Sequence, residues 1–283
     1  MVFNKIFSCI DLIKMRDDFL FSEIQIRSAC FIDEAQKRGV KLRALKFGKN
    51  NLSFPLVVKP RCGSVARYVT TNIRNKEELL KAIRKAIIYS PAFIIEKFIE
   101  NSFVYIATVV DFDFVAVVRQ VPANIIGDGV STIQQLVEKK NSNKTRGEPN
   151  QKNFTLYKIF IGGTTIKLLA EKNYNLQTIL QKDKIVYLQK NPFLKLGGGL
   201  VEVTEEVHTD NICLFKDIAK FFDIRLVGID FLVPDITSLY KSQHCGVLEL
   251  NSVPCIEMHH YPSSGKPQNV ASTLVDLFFK YYL

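Results

Sequence analysis

The 283-residue chain has no tryptophan, no Cys-x-x-Cys pair, no internal repeat and no low-complexity tract. Its six cysteines (Cys9, Cys30, Cys62, Cys213, Cys245, Cys255) are scattered, which signals neither a zinc knuckle nor a disulfide framework and reads as isolated buried thiols. Charges interrupt every long apolar stretch, so no run reaches the ~20 residues that a membrane-spanning helix needs. The apolar part of residues 1–18 contains Asp11, Lys14 and Arg16, charges that a signal peptide lacks there, and the reading is a cytoplasmic protein with no membrane partner. No histidine pair has zinc-protease spacing, and no Gly-x-Ser-x-Gly elbow is present.

What the chain does have is apolar content and localised charge. With 47% hydrophobic residues it can bury a full core, as one large domain or two joined lobes. The formal net charge is +10, and residues 35–97 carry fifteen Lys or Arg against Glu77, Glu78 and Glu96, a balance of +12, so the rest of the chain sums to −2. That block suits a polyanion, either a nucleic acid or a nucleotide polyphosphate, or it is a solvated basic face. Against nucleic acid, the basic residues are not interleaved with aromatics, and no helix-turn-helix or zinc signature appears.

Periodicity and punctuation predict helical spacing over 19–45 with a stop at Gly39 and a short strand over 40–45. Strands follow at 54–59 and 68–71, with a loop at 61–67 between them, then a helix from Asn75 through Ile88 opened by Glu77 and Glu78. An apolar run over 93–99 precedes two strands, 103–110 and 114–121, joined tightly at Asp111-Phe112-Asp113. Ser131-Thr132 caps a helix over 133–140, and residues 141–153 read as a polar loop. A strand at 185–188, a glycine loop at 197–199, a helix over 210–222, strands at 226–233 and 246–251 and a helix over 270–282 complete the chain. Hairpins mixed irregularly with helices predict an α+β fold.

Side chains alternate faces along a strand, so Glu249 and Asn251 point the same way while Leu248 and Leu250 are expected in the core. If the strand of Asp230 pairs beside them, three oxygen groups converge where Mg²⁺ bridging a polyphosphate would bind; acids at strand ends are otherwise ordinary solvated rims. Lys59 ends a buried strand and offers one ammonium at a fixed point, suited to a phosphate oxygen. The loop after it, with Gly63 and Ser64, is small enough for backbone N–H groups to approach phosphate, although it has a single glycine.

The order of these motifs resembles the ATP-grasp ligases. It comprises Val-Val-Lys-Pro, a small-residue loop, Ile-Ile-Glu-Lys-Phe-Ile, a hairpin, Val-Pro-Ala-Asn-Ile-Ile-Gly-Asp-Gly-Val-Ser-Thr-Ile, Gly-Ile-Asp-Phe and Glu-Leu-Asn. Within that superfamily it is similar to the ATP-grasp module of cyanophycin synthetases and fused glutathione-synthesising enzymes. That likeness is carried by Pro122-Ala123 with Gly127-Asp128-Gly129, Val186-Tyr187-Leu188, Val203 to His208, and Met258-His259-His260-Tyr261-Pro262 with Gly265. The resemblance implies two lobes enclosing a nucleotide cleft: a curtailed N-terminal segment over 1–53, an N-lobe over 54–98 and a C-lobe over 99–283. It implies ATP and Mg²⁺ as cofactors, Lys59 with Gly63 and Ser64 on the phosphates, and Glu96, Lys97, Phe98 and Ile99 as the hinge that holds adenine. Asp230, Glu249 and Asn251 become Mg²⁺ ligands, and Lys59, Arg119 and Asn251 the catalytic set. Gly198, His208 and His259 are expected near substrate, with a helix-capping role the alternative for His208. The implied reaction joins a carboxylate to an amine, on an amino acid or short peptide, through an acylphosphate.

Departures from the family pattern cluster. Val65, Ala66 and Arg67 occupy the glycine flap. Tyr105 and Gln120 stand where members carry arginine, Phe193 and Lys195 where they carry Asn and Ser, and Cys255 and Glu257 where they carry Gly and Arg. Either Arg67 or Arg119, one step from a lost arginine, restores the charge in an active ligase, or the chain is a degenerate protein that binds a nucleotide, metabolite or partner without turnover. Homo-oligomers or a partner chain supplying the missing N-terminal elements fit the short N-terminal region.

Overall fold

The computed structural model describes residues 53–61, 68–90, 92–149, 151 and 153–282. The helix and strand expected within 19–45 and the loop residues Gly63, Ser64 and Arg67 lie outside them. The chain divides into two compact units between Glu100 and Asn101.

In the first unit, β1 (Leu56–Pro60), β2 (Thr70–Ile73), α1 (Lys76–Tyr89) and β3 (Phe93–Lys97) build a three-stranded antiparallel sheet of order β2-β1-β3 with one helix against it. Alternation sorts the faces: Leu56, Val58 and Ile95 are buried with Ala82 and Ala86 of α1, leaving Val57, Lys59, Ile94 and Glu96 on the other face. Helix α1 begins where the sequence predicts, because the Asn75 side chain accepts from the Glu78 N–H at 2.9 Å. Strand β2 starts two residues later than expected: Tyr68 lies in a left-handed turn, φ 60°, and the pairing with β1 begins only at Val58↔Thr70.

The second unit opens with the hairpin β4 (Phe103–Val110) and β5 (Phe114–Val121), placed as predicted. Its turn uses positive φ at both Asp111 and Phe112, which matches the twist of the strands it joins. Then come β6 (Asn124–Ile126), α2 (Ile133–Asn141), β7 (Arg146–Gly147), β8 (Leu156–Tyr157), α3 (Gly163–Ala170), β9 (Ile185–Tyr187) and β10 (Gly199–Glu202). The last elements are α4 (Thr209–Phe221), β11 (Leu226–Val233), β12 (Gly246–Asn251), α5 (Glu257–His260) and α6 (Val270–Tyr282). Five strands form one antiparallel sheet of order β10-β5-β4-β11-β12, giving the expected α+β architecture.

Helix α4 covers one face of that sheet, where Phe215 meets Phe231 edge-on at 5.3 Å. The opposite face is covered by Leu156, Leu194 and Met258 over Ile106 and Val118, and by α6 over Val110 and Ala116. A separate apolar cluster joins α2 and α3 to the small β6–β9 pair. The polar stretch 141–153 contains β7, which pairs in parallel with β8. Helix α3 carries no start signal in sequence, because its cap, Gly162, offers no side-chain acceptor. Leu248, expected in the core, is 39% exposed: β12 is an edge strand whose register against β11 shifts between the Asp230–Glu249 and Phe231–Val247 pairs, which leaves Leu248 as the unpaired extra residue.

Candidate active site

The register of the large sheet decides which polar groups meet. Asp230 on β11 stands directly opposite Glu249 on β12, and Gly228 opposite Asn251, so the three oxygen-bearing side chains share one face and one strand pair. The Asn251 amide donates to Glu249 Oε1 at 3.2 Å. Burial, reinforced by the Glu249 charge, pushes the Asp230 carboxyl up to about 7. Neither carboxylate has a salt-bridge partner among the described residues. Two carboxylates and an amide at adjacent ladder positions are hard oxygen donors, and their repulsion is relieved by a cation, so the set fits a divalent ion such as Mg²⁺. No group of three or more His, Cys, Asp or Glu side chains suited to a metal occurs among the described residues, which leaves Asn251 to supply the third donor.

The same face continues across the sheet as the row Asp230, Ile106, Val118, Glu202. The neighbouring row runs from Asn251 through Gly228 to Thr108 and Ala116. Gln120 lies on this face, two residues from Val118. Arg119 does not: it pairs with Tyr105 on β4, and both project to the α4 side of the sheet. There the Arg119 guanidinium lies 5.3 Å from the Phe103 ring centroid, with its Nε buried and without a hydrogen-bond partner. Burial pushes the Tyr105 hydroxyl above its ordinary range, and the adjacent Arg119 partly offsets that. Arg119 therefore turns away from the face that carries Asp230, Glu249 and Asn251. One step along a strand changes the face, so Arg119 cannot replace an arginine lost at 120.

In the first unit Lys59 Nζ forms an ion pair with Glu96 Oε1 at 2.7 Å, across strands and on the face away from α1. Of the hinge residues, Lys97 is exposed, Phe98 and Ile99 are half-buried, and the Phe98 N–H donates to the Pro55 carbonyl at 2.9 Å. That donor is already committed to holding β3 beside the start of β1.

The expected substrate residues have other tasks. His208 is the N-cap of α4, its Nδ1 accepting from the Asp210 N–H at 3.1 Å, so the capping alternative holds. Gly198 is a packing glycine: a Cβ there would lie 2.7 Å from the Pro192 carbonyl oxygen. The loop it belongs to is held by the buried Arg146, which donates to the carbonyls of Tyr157 at 2.5 Å and Gly197 at 3.1 Å. Nothing in the polar stretch around Arg146 marks it in sequence. His259, expected near substrate, is wholly buried, with Nδ1 3.1 Å from Glu202 Oε2 and Nε2 2.9 Å from Thr108 Oγ1, so both ring nitrogens are engaged within the fold.

No family model matches the chain. It is 35% identical over 228 residues to a cyanophycin synthetase of Synechocystis sp., a match covering 80% of this chain and 26% of that protein. It is 32% identical over 235 residues to the glutathione biosynthesis bifunctional protein GshAB of Listeria innocua, covering 80% and 29% respectively. The crystal structure of a bifunctional glutathione synthetase from Pasteurella multocida superposes with a TM-score of 0.64 at 27% identity, covering 81% of this chain and 32% of that chain. The chain thus spans between a quarter and a third of the length of these proteins.

Proposed function

The chain belongs to the ATP-grasp superfamily, and from that premise we propose that it is an ATP- and Mg²⁺-dependent carboxylate–amine ligase acting on an amino acid or short peptide. The observation that carries the reading is the opposition of Asp230 and Glu249, with Asn251 one ladder position away, on a single face of the large sheet. When bound, Mg·ATP supplies the γ-phosphoryl group that activates a carboxylate as an acylphosphate for attack by an amine. Asp230, Glu249 and Asn251 hold the divalent cation and so offset charge on the polyphosphate. Lys59 exchanges its Glu96 partner for a phosphate oxygen, a compact ammonium being suited to that exchange. Glu96 to Ile99 form the adenine-facing backbone, with the Phe98 N–H kept for Pro55.

The test is release of ADP from Mg·ATP by purified protein across a library of amino acids and dipeptides, with Glu249→Gln in parallel. Amine-dependent ADP release that Glu249→Gln reduces by at least about 100-fold, without loss of fold, supports the reading. Equal turnover in that variant removes the metal assignment. A second reading, nucleotide binding without turnover, is favoured by the side to which Arg119 turns, because the cation face then carries glutamine at 120. Nucleotide binding with no ADP release from any substrate selects it.

A further inference from the structure

The buried cluster around His259 lies on the same sheet face as the candidate cation site and is not used by the chemistry above. Glu202 Oε1 accepts from the Thr204 N–H at 3.0 Å and from the Thr204 hydroxyl, whose oxygen in turn accepts from the Val117 N–H at 2.7 Å. The Glu202 carboxylate is thereby locked in place, and its Oε2 accepts the Nδ1 proton of His259. The other ring nitrogen meets Thr108 on β4. One imidazole thus ties α5 to two strands of the sheet, β10 and β4. The chain beyond α5 is fastened as well: Ser263 N–H donates to the Leu200 carbonyl at 2.8 Å, and Gln268 N–H to the His259 carbonyl at 3.0 Å.

What this clamp holds follows from the position of β12. That strand is an edge strand with one hydrogen-bonded neighbour, and its ladder ends at the Gly228–Asn251 pair. Asn251 is therefore fixed from one side only, and its place depends on how the following residues, 252–256, are anchored. They fold back over the sheet: Pro254 packs so close to Gly228 that a Cβ on that glycine would lie 2.9 Å from the Pro254 Cβ. Gly228 is the ladder partner of both Asn251 and Thr108. The path from Asn251 over Gly228 thus arrives at Thr108, where His259 is pinned.

We propose that His259, held by Glu202 and Thr108, is a positioning residue that fixes Asn251 in its cation-binding orientation through the 252–256 turn. This rests on the ligase reading above for the cation itself. Groups that orient a metal ligand without touching the metal change its affinity by about 10–100-fold when removed, because the ligand loses its preset geometry.

The experiment measures free Mn²⁺ by electron paramagnetic resonance in the presence of the full chain and a non-hydrolysable ATP analogue, a readout independent of turnover. Thr108→Val keeps the side-chain shape and removes the hydroxyl, Thr108→Ser keeps the hydroxyl, and His259→Asn keeps one donor in the pocket. The expected result is Mn²⁺ affinity about tenfold weaker in Thr108→Val and restored to within about twofold in Thr108→Ser. His259→Asn is expected to fall in the same direction as Thr108→Val. Should Thr108→Val and a folded His259→Asn keep wild-type Mn²⁺ affinity while only their melting temperatures fall, the cluster is purely structural and the proposal is overturned. If the wild-type protein binds no Mn²⁺, or Asp230→Asn leaves its affinity unchanged, the cation site itself fails, and the positioning role falls with it.

Discussion

Two opposed carboxylates on neighbouring strands are an unstable arrangement unless a proton or a cation separates them. Asp230 resolves the conflict by protonation, its carboxyl pushed by burial and by Glu249 to about 7 from an ordinary value of 3.8. A folded-state value above the unfolded one means that the native protein binds this proton more tightly. The stabilisation is full below pH about 4 and is lost as pH rises through about 7. Without divalent cation, unfolding free energy measured by urea denaturation is therefore expected to fall between pH 4 and 7.5. Asp230→Asn should flatten that slope and raise stability at pH 8 by up to about 4 kcal/mol. Excess Mg²⁺ should flatten the slope in the wild-type protein, since the cation takes over the role of the proton. A slope unchanged by the substitution would show that other groups set the pH dependence. Residue identity in this site was legible: the alternation in Glu-Leu-Asn predicts a shared face for Glu249 and Asn251. The role given to Arg119 was not, because proximity along a strand says nothing of proximity in space. Tyr105 and Phe103 claim its side chain on the far face of the sheet.

At the level of elements, the caps and turns were the most readable features. Asn75 opens α1, Thr132 and Gln135 form a reciprocal capping box on α2, and β4, β5, β11, β12 and α6 begin and end where alternation and turn residues predict. Elements without such punctuation were missed: α3 starts at a glycine, and α5 is a single turn whose anchor is His259, a residue that only tertiary contacts explain. The turn after β12 carries a prediction of its own. Gly228→Ala places a methyl group 2.9 Å from Pro254, so the 252–256 turn must shift. Thermal or urea unfolding should show a loss of about 1–3 kcal/mol, the range of overpacked core sites, together with weakened divalent-cation binding. A stable variant with unaltered cation affinity would mean that the turn yields without moving Asn251.

For the molecule as a whole, ligand binding has a thermodynamic signature. A ligand held by the native state alone raises stability by RT ln(1 + [L]/Kd), about 2.7 kcal/mol at a hundred times Kd. Mg·ATP is expected to raise the melting temperature by several degrees, and Lys59→Met and Asp230→Asn each to diminish the shift. A shift that survives both substitutions would place the nucleotide elsewhere. The basic block yields a contrasting expectation. Its cations are not interleaved with aromatics, so retention on an oligonucleotide at moderate ionic strength should be weak. Strong, salt-sensitive retention would favour the nucleic-acid reading.

Composition, alternation and capping by themselves determined an α+β chain with a buried core, most of its strands and helices, and an Asp, Glu and Asn set on two late strands. These are local properties, written in the spacing of apolar residues and in turn chemistry over a few positions. Only the tertiary structure decided which strand lies beside which, and hence that Asp230 opposes Glu249, that Arg119 turns away, and that His259 of α5 is buried against Glu202 and Thr108 on the sheet face. Those facts depend on register and burial, which are set by contacts between residues up to 151 positions apart, as for Thr108 and His259, and no local pattern encodes them.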